Sequence, residues 1–137
     1  MIGVISSKVD IPEDRIMYAG ERAEGGYEAF KQLMSLQNPP TAILSRTDIL
    51  AIGALKAANE MGMNVPGDVS LSGQDDLPIT QALHPTLTTV RMDLPDIART
   101  VAEAAFTLMK DSEIEPRTIL CENSLLIRES TGPAKSN

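Results

Sequence analysis

The most constraining feature of this chain is an alternation: short apolar runs take turns with longer stretches whose apolar positions recur at helical spacing. A run of about five apolar residues is too short for a stable helix but long enough for a strand buried in a sheet. A helix between two such strands carries the chain back across the sheet and makes the next strand parallel to the last. Repeated along the chain, the pattern predicts an α/β fold: a mostly parallel sheet flanked by helices.

The helical stretches are legible one by one. Glu24 to Leu36 carries Tyr27, Phe30, Leu33 and Met34 on one face and stops before Asn38-Pro39-Pro40. Thr47 to Met61 places Ile52, Leu55, Ala58 and Met61 in a stripe, with Thr47 or Asp48 able to cap its first amides and Gly62 after its end. Pro95 to Lys110 places Ile97, Val101, Ala105 and Leu108 on one face, broadened by Ala98, Ala102, Phe106 and Met109. Between them, Thr41 to Ser45 reads as a buried strand, Val69 to Gly73 as the next, and Leu87 to Arg91 as a third. Leu77 to Leu83 reads as one helical turn, and Asp14 to Ala19 as a short strand. Two closing strands are expected, Arg117 to Cys121 and Ser124 to Arg128, around a Glu122-Asn123 turn. Residues 133–137 read as a disordered tail, and Met1 to Ile5 as the end of a helix or a strand.

Composition removes several function classes. The 137 residues suffice for one domain, and aromatics make up only 3%, so Ile, Leu, Val, Met and Ala must fill the core. A formal net charge of -7 and scattered Arg and Lys make the chain a poor partner for phosphate backbones. No apolar run approaches the roughly 18 residues of a membrane span, and Met1-Ile2-Gly3-Val4 lacks the form of a signal peptide. The one cysteine, Cys121, cannot close an internal disulfide, which suits a cytoplasmic location. A single histidine gives metal sites and His-centred triads little material. There is no Gly-x-Gly-x-x-Gly, P-loop or Gly-x-Ser-x-Gly motif, so no cofactor, no metal and no enzymatic activity is expected.

Ligands of open parallel sheets bind beyond the carboxyl ends of the strands, which directs attention to two segments. Ser45-Arg46-Thr47-Asp48 follows one strand and opens a helix, whose free amides gather polar groups. Gln74-Asp75-Asp76 follows the next strand, and adjacent carboxylates there suit the hydroxyls of a polyol. Each has a plainer explanation: Asp48 as a helix cap, Asp76 as a solvated turn residue, His84 beside Pro85 as a loop or interface residue, and Cys121 as a small core residue.

Three blocks then combine. Pro40-Thr41-Ala42-Ile43 with Asp48, Ala51, Gly53, Ala54 and Leu55 resembles a "PTAI…ND…ALGAL" pattern. Val65-Pro66, Asp68-Val69-Ser70 and Gly73 to Asp76 resemble "VP-DVSVVGFDD". Pro85 and Leu87 to Val90, with Arg128-Glu129-Ser130-Thr131-Gly132, resemble "P-LTTV…RESTG". Together, in this order and from about Arg15 to Gly132, they resemble the C-terminal part of the effector-sensing domain of LacI-type transcription regulators.

The resemblance implies a partial type 1 periplasmic-binding-protein-like lobe over residues 1–132, mainly the second of two lobes, with about 87–112 crossing into the first. It implies a small-molecule effector, sugar-like or anionic, in the cleft between the lobes. Asp75 matches the cleft Asp, Asp48 the Asp of "ND", and Thr47 stands where Asn is common. Arg22 lies near a frequent stacking aromatic, and Gln74 replaces the usual Phe or Tyr. The resemblance further implies a homodimer through Ile49, Ile52, Leu55, Ala58, Leu83 and His84, DNA contact only through a helix-turn-helix head that these residues do not include, and no membrane association. The alternative is a solute-binding receptor of the same fold, serving transport or chemotaxis.

Overall fold

A computed structural model describes residues 11–110 and 118–133. Its elements are α1 (Ala23–Met34), β1 (Ala42–Leu44), α2 (Asp48–Glu60), β2 (Ser70–Gln74), β3 (Thr88–Met92), α3 (Leu94–Lys110) and β4 (Asn123–Leu126), with short 3-10 turns at Glu13–Arg15 and Pro78–Gln81. They form a four-stranded sheet in the order β1-β2-β3-β4. The first three strands are parallel and β4 runs antiparallel to β3. The α/β architecture with a mostly parallel sheet is as the alternation predicts.

The core lies where α1 packs on α2 and α2 packs on β2. Along β2, Leu71 and Gly73 are buried while Ser70, Ser72 and Gln74 on the other face are half-buried, the alternation of a pleated strand. Phe30 of α1, Ala51, Ala54, Leu55, Ala57 and Ala58 of α2, and Val69, Leu71 and Leu87 form one buried cluster. The run of alanines lets the helices approach closely. A Cβ on Gly53 would stand 1.8 Å from the Ala23 carbonyl oxygen, and one on Gly26 would stand 2.0 Å from that of Leu50. Only glycine fits at this crossing.

The carboxyl-terminal segment closes the sheet from below. Ser130 is fully buried; its hydroxyl donates to Leu71 O (2.7 Å) and accepts from Thr88 N (2.8 Å), bridging β2 and β3. The Glu129 carboxylate accepts from the Thr86 amide and hydroxyl. The Thr131 and Thr88 hydroxyls are 2.8 Å apart. The "RESTG" block is therefore a clasp, in which Ser130 satisfies strand partners that would otherwise be buried unpaired.

Several expectations give way. Among the described residues β1 lies at the edge of the sheet, with Leu44 59% exposed, and is not buried; an apolar run shows that a strand can be buried but not that both of its edges are covered. Asp14 to Ala19 forms no strand: a 3-10 turn takes its first two residues and the rest is irregular. Of the Arg117 to Cys121 candidate, residues 118–121 are described and are not a strand, and Cys121 is half-buried outside the sheet. Asn123 begins β4 and makes no turn. The readings of Met1 to Ile5 and of residues 134–137 lie outside the described residues.

Leu55 (4% exposed) and Ala58 (0%) sit in the core cluster, so they cannot form an outer interface stripe. Ile49 and His84 are exposed; Ile52 and Leu83 are half-buried. α3 contributes no buried residue, and Leu94, Val101, Phe106 and Met109 are 61%, 61%, 63% and 80% exposed.

Candidate functional site

The carboxyl ends of β1, β2 and β3 gather most of the polar residues singled out in the sequence. Register sets their heights. Leu44 pairs with Ser72, and Ser45 N donates to Ser72 O (2.8 Å), so Arg46 leaves the sheet where β1 and β2 end. Thr47 follows as the N-cap of α2, its hydroxyl accepting from Leu50 N (3.3 Å). From the α1 end, Glu21 reaches Arg46 in an ion pair of 3.2 Å, which brings the start of α1 to the same rim. Arg22, the N-cap residue of α1, is exposed there and makes no side-chain cap bond.

Asp48 does not face the rim. It is fully buried, and its two carboxylate oxygens accept from the Thr89 hydroxyl (2.6 Å) and the Leu77 amide (2.8 Å). It joins the start of α2 to β3 and to the loop after β2. Gly73 makes this possible: a Cβ there would stand 2.3 Å from Asp48 Oδ1. The expectation that Asp48, like Asp75, is one of the effector-binding residues is corrected accordingly. Asp48 holds the site's frame, and Thr47 is the cap.

The adjacent carboxylates divide in the same way. Asp76 is no solvated turn residue: its side chain is 9% exposed and lies between Arg128 Nη2 (2.5 Å) and Arg91 Nε (2.7 Å). Burial alone would push its acidity down, but hydrogen bonds from Arg128 and Arg91 outweigh that and hold the carboxyl below the usual carboxylate range. Arg128 also donates to the Thr80 hydroxyl and the Leu87 carbonyl. Asp75 is left half-exposed at the strand end. Desolvation, and secondarily the nearby charge of Asp48, raise its pKa, with Arg46 opposing the shift. Its backbone φ is 116° and that of Asp76 is 53°. Such conformations are costly for residues with a side chain and cluster at functional sites. Gln74 is half-buried, its amide nitrogen 3.8 Å from the Met92 sulfur.

Chemically, the rim offers one carboxylate acceptor, two arginines, a glutamate, a hydroxyl and an amide. That set can orient a small polar ligand. Among the described residues, no group of three or more His, Cys, Asp or Glu is placed to hold a metal ion. Sequence reasoning gave no role of their own to Arg46, Glu21, Thr89 and Arg91; the strand-end position points to the first, and only the folded chain reveals the others. Elsewhere, a groove of about 580 Å³ runs along the outer edge of β1 beneath α1, lined by Ile16, Phe30, Leu33, Ile43 and Leu50 among others. Its lining is mainly apolar, with Arg15, Ser45 and Arg46 at its margin, and it follows the flank of the sheet on which β1 has no partner among the described residues.

Residues 4–131 match the periplasmic binding protein-like domain. The chain is 37% identical over 109 residues to an HTH-type transcriptional repressor, PurR, of Klebsiella pneumoniae, covering 80% of this chain and 31% of that protein. It is 35% identical over 107 residues to the probable HTH-type transcriptional repressor ExuR of Bacillus subtilis, covering 78% and 32%. A solved LacI transcriptional regulator from Bacillus cereus subsp. cytotoxis superposes with a TM-score of 0.83 at 28% identity, over 90% of this chain and 44% of that one. The chain thus spans about a third of the length of the curated relatives it matches.

Proposed function

The chain belongs to the periplasmic binding protein-like domain family as it occurs in LacI-type transcription regulators, and from that premise we propose that it is the part of such a regulator that senses a small-molecule effector. The named relatives are repressors, not enzymes, which favours a regulator over a solute-binding receptor of the same fold. The observation that carries the reading is Asp75: a half-exposed carboxylate at the carboxyl end of β2, held in a strained conformation, with no partner competing for it among the described residues. In this reading it accepts hydrogen bonds from effector hydroxyls. Thr47, Gln74 and Arg22 complete the half-cleft, and Asp48 acts behind them as a positioning group.

Residues 87–110 then lead toward the first lobe, with the bare face of α3 packing there. Closure of the two lobes on an effector shifts the balance between two arrangements of the regulator, and a helix-turn-helix head outside these residues reads the change as altered operator spacing. Ile49, Ile52, Leu83 and His84 are the surface through which two copies would associate. The regulator is cytoplasmic in this reading; among the described residues, no helix is long and apolar enough to cross a membrane.

A thermal-shift screen of sugars, sugar acids, nucleobases and amino acids tests the reading, because a ligand that binds only the folded state raises the melting temperature. Hits should vanish in Asp75→Asn. Hits that persist in Asp75→Asn, Thr47→Ala and Gln74→Ala alike would remove the site from consideration.

A further inference from the structure

We propose that Arg46 selects an effector bearing one anionic group, carboxylate or phosphate, and that Glu21 is the internal counter-ion which that group displaces; the inference rests on reading Asp75 as the cleft carboxylate and extends it to the effector's charge.

Among the described residues, three kinds of charged contact lie at the rim or just behind it, and one of them is open to exchange. Asp48 is closed by Thr89 and Leu77. Asp76 is closed by Arg91 and by Arg128, whose side chain is only 15% exposed. Arg46 differs from both. Among the described residues its guanidinium makes one contact, through Nη1, with Glu21 at 3.2 Å. The two side chains are 52% and 81% exposed, so water screens the pair and it holds weakly. The rest of the planar fork remains available for a bidentate acceptor, the geometry in which arginine binds carboxylate and phosphate most strongly.

Position gives this free fork its meaning. Ser45 N donates to Ser72 O (2.8 Å), which puts Arg46 just beyond the paired ends of β1 and β2, close enough that its charge acts on the Asp75 carboxyl. A ligand lying across the ends of β1 and β2 therefore meets a donor fork on one side and a carboxylate acceptor on the other. Asp75 takes hydroxyl or amine donors and repels anions. Arg46 does the reverse. The shape that satisfies both is a small polyhydroxylated molecule with one anionic group, its hydroxyls toward Asp75 and its charged group toward Arg46. Glu21 keeps Arg46 neutralised and extended when the site is unliganded. Leaving a pair this exposed costs little, so an incoming anion in a drier environment outcompetes it.

The test is an NMR titration of the 15N-labelled 137-residue chain with D-gluconate, D-glucose 6-phosphate and D-glucose at fixed ionic strength. It follows the Arg46 Nε–Hε signal and the amides of residues 45–47 and 74–76. Gluconate or glucose 6-phosphate should shift these signals and bind more tightly than glucose, and which of the two binds better separates carboxylate from phosphate. Arg46→Gln should weaken the anion about tenfold or more, and weaken glucose by a clearly smaller factor. Glu21→Gln should strengthen the anion about twofold to fivefold, the worth of a surface pair. Anion affinity within about twofold of wild type in Arg46→Gln, or a Glu21→Gln variant that binds more weakly, overturns the inference. Glucose shifting residues 74–76 as strongly as the anions do overturns anion selection and leaves the Asp75 site standing. No shift at those residues with any probe overturns both.

Discussion

Replacing Asp48 separates a framework role from a ligand contact. Its two oxygens accept from the buried Thr89 hydroxyl at 2.6 Å and from the Leu77 amide at 2.8 Å. In Asp48→Ala both donors lose their acceptor within a site where Asp48 and Thr89 are each 0% exposed. A hydrogen bond to a carboxylate contributes about 1.5–3 kcal/mol, and an unsatisfied buried donor costs about as much. The variant should therefore lose about 3–5 kcal/mol, a large share of the roughly 5–15 kcal/mol of a whole domain. Asp48→Asn keeps the volume but turns one acceptor into a donor facing a donor, and should lose about 2–3 kcal/mol. Thr89→Val removes one bond and should lose about 2 kcal/mol. Urea unfolding followed by circular dichroism measures all three. The Asp48→Asn/Thr89→Val double variant should be less destabilised than the sum of the singles by about 1 kcal/mol or more, because the two side chains share a bond. Asp48→Asn within about 0.5 kcal/mol of wild type, with effector binding abolished, would mean that Asp48 is a ligand group and that its buried hydrogen bonds are not what retains it.

Three further outcomes follow from the packing and the charges. Gly53→Ala should destabilise by about 2 kcal/mol or more in the same unfolding experiment, since the clash with the Ala23 carbonyl at 1.8 Å outweighs the roughly 1 kcal/mol helix preference of alanine; a stabilised variant would refute the close helix crossing. The two strand-end aspartates should respond oppositely to pH. Asp76, with its lowered folded pKa, adds stability above its ordinary value of 3.8, and that stability is lost as pH falls through the folded value. Asp75, with its raised folded pKa, favours the folded state most below 3.8 and loses that contribution as pH rises through the folded value. Asp76→Asn should thus flatten the acid limb of the stability profile, while Asp75→Asn should be slightly stabilising at pH 7. Equal behaviour of the two variants between pH 3 and pH 7 would contradict the assigned environments. Light scattering at micromolar concentration should find the chain self-associated, because Leu94, Val101, Phe106, Met109 and Leu125 leave a broad apolar face in water; a clean monomer would contradict this.

What could be read in advance depended on the range of the interaction. α1, α2 and α3 were legible because the helical period is written locally, in Phe30, Leu33 and Met34 or in Ile97, Val101 and Leu108. The three parallel strands were legible as apolar runs between those helices. Burial was less so. Nothing in Thr41 to Ser45 says that β1 lies at the edge, and nothing near Asp14 or Cys121 says that no partner strand meets it. The site divides the same way. Asp75 was visible as a polar residue at a strand end. The fate of Asp76 depends on Arg128, 52 residues away, and that of Asp48 on Thr89, 41 residues away, and on the missing side chain of Gly73. Carboxylates that look alike along the chain are separated by partners that only folding supplies.

The central claim is that an effector is held at the carboxyl ends of the parallel strands. A crystal structure with a thermal-shift hit bound tests it most directly. The ligand should lie within hydrogen-bond distance of the Asp75 carboxylate and span the ends of β1 and β2, with Asp48 still buried against Thr89. A ligand seated instead in the apolar groove between α1 and the outer edge of β1, against Phe30 and Leu33, with Asp75 untouched, would contradict it.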